Sequence, residues 1–260
     1  MHLGVILPNY DKGASPDGVR AVVEAAPENG FESVWATEHI IVGPEGVDPY
    51  GRVLDPIATL SWIAGYSEVG LGTSIILVPL HHPIHLAKEA ATLHELSGGR
   101  FTLGVGVGWH EDEFHFMGVP FRHRGRRADE ALRVIKALWS GEREFHGEFW
   151  SFENATFEPL PNPQPEIWVG GGSDRAVRRA LELGDVWHPS RSGTVERVRE
   201  VKERYPELRV VPRIGAGNAD DLSQLIHAYE DAGCEGVVAS FGTNPDHIVS
   251  SMGAFGAKRR

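Results

Sequence analysis

Short apolar runs alternate with longer amphipathic stretches along the chain. The first run covers residues 3–7 and ends at Pro8-Asn9, and a helical pattern begins at Ser15-Pro16. Serine suits an N-cap and proline suits the first turn of a helix. Later apolar runs of the same kind predict strands at residues 33–36, 70–77, 101–107, 167–169, 186–188, 209–214 and 236–240.

A helical pattern follows each of these strands. The later helices are predicted at residues 55–68, 84–97, 124–139, 174–183, 194–204, 220–232 and from 245 onward, and Pro27 is expected to kink or stop the first helix about a turn early. Eight βα units with nearly continuous apolar strands are typical of a closed parallel barrel, so we predict an α/β fold of the (β/α)8 TIM-barrel class. An open doubly wound sheet fits less well, because the first βα turn lacks a phosphate-binding fingerprint.

One segment departs from this order. Residues 144–157 alternate aromatic and polar positions around His146-Gly147, which predicts a small inserted β-hairpin after the fourth βα unit. A chain of 260 residues with 41% hydrophobic content can bury one sizeable core. We therefore expect a single domain over residues 1–260.

Composition excludes several classes of function. Cys234 is the only cysteine, so no intramolecular disulfide forms, and the chain opens without a signal-peptide pattern, which makes a cytoplasmic location the expectation. No apolar run approaches the ~18 residues that a membrane helix needs, so no membrane span is expected. The formal net charge of -11 repels phosphate backbones, and nucleic-acid binding is not expected.

Functional residues of such a barrel lie where the strands end. His39 follows the second strand, where an imidazole can act as an acid, a base or a hydrogen-bond donor, although a structural histidine is the ordinary alternative. The glycines at 104, 106 and 108 would let a flat ring approach the backbone, and a plain tight turn explains them equally well. Residues 170–173 open a helix whose free N–H groups can hold a phosphate, with Arg175 close behind.

Metal and hydrolase chemistry are less well supported. Histidines cluster at 81, 82 and 85 and again at 110 and 115, but a barrel metallohydrolase needs ligands on several strand ends, including His-x-His after the first strand. The first strand ends in Pro8-Asn9 instead, and the chain contains no Gly-x-Ser-x-Gly elbow. We expect no metal site.

The stretch from residue 70 to 114, with its LGTSIILVPLHHP and GVGVGWHEDEF segments, resembles the luciferase-like monooxygenase superfamily and its F420-dependent oxidoreductases. Support comes from SVWATEH, RGRRADEALRVIKALW and IWVGGGSDRAVRRALELGDVWHP, so the resemblance reaches from residue 1 to about 189. The resemblance implies a barrel enzyme that binds coenzyme F420, or FMN, and a small organic substrate. Members of this family commonly form homodimers, which makes a homodimer possible here.

The resemblance also assigns roles. It implies a non-prolyl cis peptide at Ser74-Ile75 against the cofactor ring, and it makes His39 the active-site histidine, beside Glu38 where many F420 enzymes have aspartate. Together with the strand-end reasoning, it gives one catalytic residue, His39, and a set of cofactor-binding residues: Glu38, His39, Ser74, Ile75, Gly106, Gly108, Gly170, Gly171, Gly172, Ser173 and Arg175.

The choice of cofactor rests on the loop after the fourth strand. Bacterial luciferases have an arginine there that holds the FMN phosphate, and this chain has Val107, which favours F420. The F420-dependent sugar-phosphate dehydrogenases carry a glutamate acid in this loop, where this chain has Trp109, so neither that acid nor that substrate is carried over, and Asp112 and Glu113 are only nearby substitutes. We therefore expect a hydride-transferring F420 enzyme. An FMN-dependent monooxygenase and a non-catalytic flavin or deazaflavin binder are the alternatives.

Overall fold

The computed structural model describes residues 1–259. Its strands are β1 His2–Ile6, β2 Ser33–Ala36, β3 Gly70–Thr73, β4 Ile76–Leu77, β5 Phe101–Gly106, β6 Phe145–His146, β7 Ser151–Phe152, β8 Ile167–Gly170, β9 Val186–His188, β10 Arg209–Val210, β11 Arg213–Gly215 and β12 Gly236–Ser240. Its helices are α1 Pro16–Glu28, α2 Val47–Tyr50, α3 Pro56–Ala64, α4 Pro83–Leu96, α5 Glu111–Phe116, α6 Arg124–Trp139, α7 Asp174–Leu183, α8 Val195–Arg204, α9 Ala219–Asp231 and α10 Pro245–Arg259.

The strands form a parallel sheet that closes on itself. Its order is β10-β9-β8-β5-β3-β2-β1-β12-β11, and β10 and β11 are the two halves of one chain segment, so the two ends of the sheet meet. Trp35 of β2 and Trp168 of β8 meet across the interior with ring centroids 4.5 Å apart. The predicted TIM-barrel fold is confirmed.

Two predicted strands are interrupted. The segment predicted as one strand at 209–214 is divided at Val211-Pro212, because proline has no N–H to give to the ladder. The segment predicted at 70–77 is divided at Ser74-Ile75, where the peptide bond is cis as the resemblance implies. The Ser74 N–H still bonds to the carbonyl oxygen of Ala36 at 2.7 Å, which keeps this segment beside β2.

The prediction for Pro27 is wrong, since α1 runs through it and ends one residue later. A proline in the last turn removes a single hydrogen bond, so the helix ends where it would end without it. The helix predicted at 55–68 stops at Ala64, where the N–H of Gly65 bonds back into the last turn. The loop after β5 contains a short helix, α5, that the glycine-rich sequence did not predict.

Glycines make room for the aromatic filling of the barrel. A Cβ added at Gly4 or at Gly72 would lie about 2.5 Å or less from atoms of the Trp35 ring. Larger side chains on these two strands would therefore displace the indole. The ring stays 1% exposed and fills the barrel below the carboxyl ends of the strands.

A short antiparallel hairpin, β6 paired with β7, follows α6. The buried carboxylate of Glu130 in α6 accepts hydrogen bonds from the backbone N–H groups of Glu148, Phe149 and Trp150 at 2.7–2.8 Å. These charge-assisted bonds attach the hairpin turn to the barrel. No helix within residues 1–259 is long and apolar enough to cross a membrane.

Candidate active site

A cavity of about 250 Å³, called here the inner cavity, opens at the carboxyl ends of the barrel strands. It is lined by several residues that the sequence predicted for the site: Glu38, His39, Ser74, Ile75, Gly106, Gly108, Gly170 and Gly171. A second cavity of about 890 Å³, called here the outer chamber, adjoins it. The two share Tyr50, Trp109, Ser190 and Arg213 in their walls.

Three predicted positions lie outside the inner cavity. The hydroxyl of Ser173 accepts a hydrogen bond from the N–H of Ala176 and caps α7. A Cβ at Gly172 would run into the side chain of Ser192, and the guanidinium of Arg175 lies beside Gly125 at the start of α6. The structure therefore does not bring Gly172, Ser173 or Arg175 to the inner cavity with His39.

Asn9 anchors the loop that carries the candidate histidine. Its buried amide donates to the carbonyl oxygens of Thr37 at 2.7 Å and Leu54 at 2.9 Å, and its side-chain oxygen accepts from the Thr37 N–H at 3.0 Å. These bonds use the polar groups of a residue that is 0% exposed. The chain is thus fixed immediately before Glu38 and His39.

Glu38 organises the end of the interrupted third strand. Its carboxylate accepts from the Leu77 N–H at 2.6 Å and pairs with His81 Nε2 at 2.9 Å. Burial lowers the pKa of His81, but the hydrogen bond and the charge of Glu38 outweigh it and raise that pKa above the usual value. Both carboxylate oxygens of Glu38 therefore have protein partners.

His39 turns the other way and forms a buried pair with Glu113 of α5. Its Nδ1 lies 3.0 Å from Glu113 Oε2, and the two side chains are 5% and 1% exposed. Glu113 Oε1 accepts from the Ile40 N–H at 2.6 Å, which fixes the carboxylate. The Tyr50 ring packs on the imidazole with centroids 4.1 Å apart. Within residues 1–259 His39 Nε2 has no hydrogen-bond partner, so it is the ring atom available to a ligand.

Ser74 is held by a histidine of defined tautomer. His188 Nδ1 lies 2.5 Å from the Val211 carbonyl oxygen, which can only accept, so Nδ1 carries the hydrogen. Nε2 then accepts from the Ser74 hydroxyl at 2.9 Å. Complete burial lowers the pKa of His188 to about 4. The Ser74 oxygen therefore turns its lone pairs, and no hydrogen, towards the inner cavity.

Acid is expected to destabilise the protein through His188. The folded chain keeps this imidazole neutral down to about pH 4, whereas in the unfolded chain it takes up a proton near its usual value of 6.5. The contribution to stability is complete above pH 6.5 and is lost as the pH falls through this window, by up to roughly 3 kcal/mol. Urea unfolding of wild type and His188→Gln at several pH values measures it. Parallel stability curves for the two proteins would contradict the assignment.

Ile75 separates two glycine-lined parts of the inner cavity. A Cβ at Gly106 would lie 2.4 Å from Ile75 Cδ1, and one at Gly170 would lie 3.1 Å from Ile75 Cγ2. The side chain of Ile75 therefore packs directly on bare backbone at the ends of β5 and β8. This arrangement gives the inner cavity a flat apolar surface that a planar ring can approach.

Arg213, the first residue of β11, lies between the two cavities. It is half-buried, and its Nη1 donates to Thr37 Oγ1 at 3.1 Å and to the Ser74 carbonyl oxygen at 3.0 Å. Its Nη2 donates to the Tyr10 hydroxyl at 3.2 Å. One guanidinium thereby connects the residues that follow β1, β2 and β3 to the start of β11.

Other reactive groups are poorly placed for chemistry. Burial raises the pKa of the Cys234 thiol to about 12, which keeps it protonated and unreactive. Among residues 1–259 no three His, Cys, Asp or Glu side chains converge as a metal ion would need.

Several residues of the site were not among the predicted site residues, and those with the largest roles are Tyr50, Glu113, His188 and Arg213. Glu113 was noted only as an acid near the loop after the fourth strand, and His188 ends a predicted strand. Arg213 could have been found from the sequence, because it is a charged residue within the otherwise apolar segment 210–214. Tyr50 lies in a long polar loop, and nothing in the sequence marked it as a site residue.

Comparison with known proteins identifies the family of the chain. A family model described as luciferase-like monooxygenase matches residues 1–211. An F420-dependent glucose-6-phosphate dehydrogenase of Kineococcus radiotolerans is 37% identical over 166 residues, which cover 62% of this chain and 48% of that protein. The oxygenase component of the flavin-dependent trigonelline monooxygenase of Acinetobacter baylyi is 31% identical over 173 residues, covering 65% and 46%.

A solved structure extends the likeness of fold to nearly the whole chain. An F420-dependent secondary alcohol dehydrogenase in complex with an F420-acetone adduct superposes with a TM-score of 0.79. The match covers 98% of this chain and 97% of that chain at 14% sequence identity. At this identity the likeness establishes the fold alone.

Proposed function

Because the chain belongs to the luciferase-like monooxygenase family, we propose that it is an F420-dependent oxidoreductase acting on a small organic substrate. The observation that carries the proposal is the buried His39–Glu113 pair, which leaves His39 Nε2 free at the inner cavity. The F420-dependent relative has the higher sequence identity of the two relatives described above, 37% over 166 residues against 31% over 173 residues.

The residues around the inner cavity fit a flat heterocycle. Gly106 and Gly170 have no side chains that project into the cavity, and the side chain of Ile75 packed on them adds an apolar surface. Ser74 gives its hydrogen to His188 and so offers only acceptor lone pairs, which suit a ring N–H. When bound, the deazaflavin supplies or takes up the hydride, and the protein contributes binding, orientation and acid-base groups.

His39 has the geometry of a proton carrier. Its Nδ1 is held by Glu113, so protons exchange with a ligand at Nε2. Oxidation of an alcohol releases a proton from its hydroxyl, and reduction of a carbonyl needs one, so either direction of hydride transfer requires such a group. The Tyr50 ring restricts rotation of the imidazole and keeps Nε2 directed at the cavity.

An FMN-dependent monooxygenase is the second candidate, because the trigonelline monooxygenase relative uses a flavin. The same flat surface would suit either tricyclic ring. The two functions differ in one requirement: the flavin reaction consumes oxygen, whereas hydride transfer with F420 proceeds without it. Turnover under anaerobic conditions would therefore favour the F420-dependent reaction.

The decisive test is titration of the purified protein with F420 and with FMN in one buffer, followed by fluorescence. We expect F420 to bind at least about tenfold more tightly, a difference of about 1.4 kcal/mol. Tighter binding of FMN would move the assignment to the oxygen-dependent reaction. Binding of neither would contradict both.

The same titration on Gly106→Ala tests where the ring lies. The new methyl would meet Ile75 and push its side chain into the inner cavity, so we expect the preferred cofactor to bind about tenfold more weakly. Gly253→Ala is the matched control, because a Cβ at that position of α10 meets no atom within 4 Å. Equal affinities of Gly106→Ala and wild type would place the ring elsewhere.

A further inference from the structure

Arg213 carries a positive charge that no protein group neutralises. No carboxylate among residues 1–259 pairs with it, and its hydrogen bonds go only to neutral oxygens. A half-buried charge without a counter-charge is unusual, because removing it from water costs free energy that a partner ion normally offsets. Because Arg213 lies between the inner cavity and the outer chamber, a bound anionic ligand can be that partner.

Two N–H donors of Arg213 are left for a ligand, one on Nε and one on Nη2. Both hydrogens of Nη1 have acceptors, in Thr37 and Ser74, and one hydrogen of Nη2 goes to Tyr10. Nε and the second hydrogen of Nη2 have no acceptor within the described residues. A carboxylate binds a guanidinium through two parallel N–H donors, and an Nε and Nη2 edge provides such a pair.

The outer chamber supplies aromatic surface around this edge. Tyr10 and Tyr50 are stacked with ring centroids 5.6 Å apart, and Tyr50 and Trp109 are 6.5 Å apart. Trp109 is 57% exposed, so much of its indole is left uncovered at the shared wall. Stacked and edge-on aromatic contacts favour a planar, unsaturated partner.

Two other charged residues line the outer chamber, Arg191 and Asp48. Both are exposed and opposite in sign, so their contributions largely cancel and are screened by salt. Arg213 is therefore the charged side chain that the outer chamber shares with the inner cavity. This local charge opposes the overall net charge of -11.

We propose that the outer chamber binds an organic carboxylate with a planar, unsaturated body, and that Arg213 holds its carboxylate group through two hydrogen bonds. This substrate class rests on the proposed function. Tyr50 and Trp109, which line both cavities, take the planar body. Since Tyr50 also packs against His39, a substrate anchored at Arg213 lies next to the acid-base pair and the inner cavity.

The test is isothermal titration calorimetry with benzoate and with its neutral isostere benzamide. Each ligand is measured in the presence of the preferred cofactor and again in its absence. We expect wild type to bind benzoate at least about tenfold more tightly than benzamide. Arg213→Gln removes the charge and the paired donors, so the two ligands should then bind equally. Arg213→Lys keeps the charge but not the fork, and an intermediate preference is expected. Arg191→Gln, the matched control in the same chamber, should keep most of the preference.

Several outcomes overturn the proposal: equal binding of the two ligands to wild type, no binding of either, or an undiminished preference in Arg213→Gln. Loss of benzoate binding at saturating cofactor also overturns it, since Arg213 would then serve the cofactor. Circular dichroism checks that each variant folds. If Arg213→Gln does not fold, the benzoate preference of Arg213→Lys decides the test. If the protein binds neither F420 nor FMN, the proposed function is refuted instead. The benzoate and benzamide titrations without cofactor then still decide whether the outer chamber prefers a carboxylate.

Discussion

His39→Gln is expected to lower kcat by about 100- to 10,000-fold, the range typical for loss of a general acid or base. His39 Nε2 is the ring atom without a protein partner at the inner cavity, and glutamine can neither take up nor release a proton there. Cofactor affinity should change little, because the flat surface is formed by Gly106, Gly170 and Ile75. The measurement is steady-state turnover with the best substrate from a panel of alcohols, carbonyl compounds and organic carboxylates, together with cofactor titration.

The control for this variant is His85→Gln. His85 lies in the first turn of α4, where its side chain is 73% exposed and pairs with Glu89 of the same helix. We expect turnover of the control to match wild type. Full turnover of His39→Gln with unchanged cofactor binding would remove His39 from the catalytic mechanism.

The fold could be predicted because the barrel depends on local patterns. Apolar runs of strand length alternate with helical periodicity, and each unit can be recognised without knowledge of the others. His39 could be predicted for a related reason, since a strand end in such a barrel faces the mouth. Periodicity did not place the breaks at Ser74-Ile75 and Val211-Pro212: the family resemblance indicated the first, and the second was predicted as part of one strand at 209–214.

The partners within the site could not be predicted in the same way. His39 and Glu113 are 74 residues apart, and Arg213 reaches Thr37 across 176 residues. Such pairs depend on how side chains from separate strand ends meet, which periodicity does not encode. The glycine-rich start of α7 was predicted as an anion site, and the folded chain brings Gly170 and Gly171 of this segment to the inner cavity.

Glu113→Gln is expected to reduce kcat strongly, by roughly 10- to 100-fold or more, although Glu113 does not line the inner cavity. The glutamine oxygen can replace Oε1 as acceptor for the Ile40 N–H, which places the amide NH₂ against His39 Nδ1. An NH₂ group only donates, so Nδ1 must become the acceptor and the hydrogen of the neutral ring moves to Nε2. The imidazole then presents the wrong tautomer to the ligand, an effect that costs about 10,000-fold in a serine protease triad.

This prediction makes Glu113 a positioning residue, and its test must separate that role from simple support of the fold. Nitrogen-15 NMR of the imidazole distinguishes the Nδ1–H from the Nε2–H form, and we expect Glu113→Gln to change the form present while cofactor affinity and thermal stability stay close to wild type. Glu113→Asp keeps the carboxylate and should recover part of the turnover. If Glu113→Gln left the tautomer unchanged, or if it lost cofactor binding and turnover together, Glu113 would be holding the loop after β2 and would not be orienting His39.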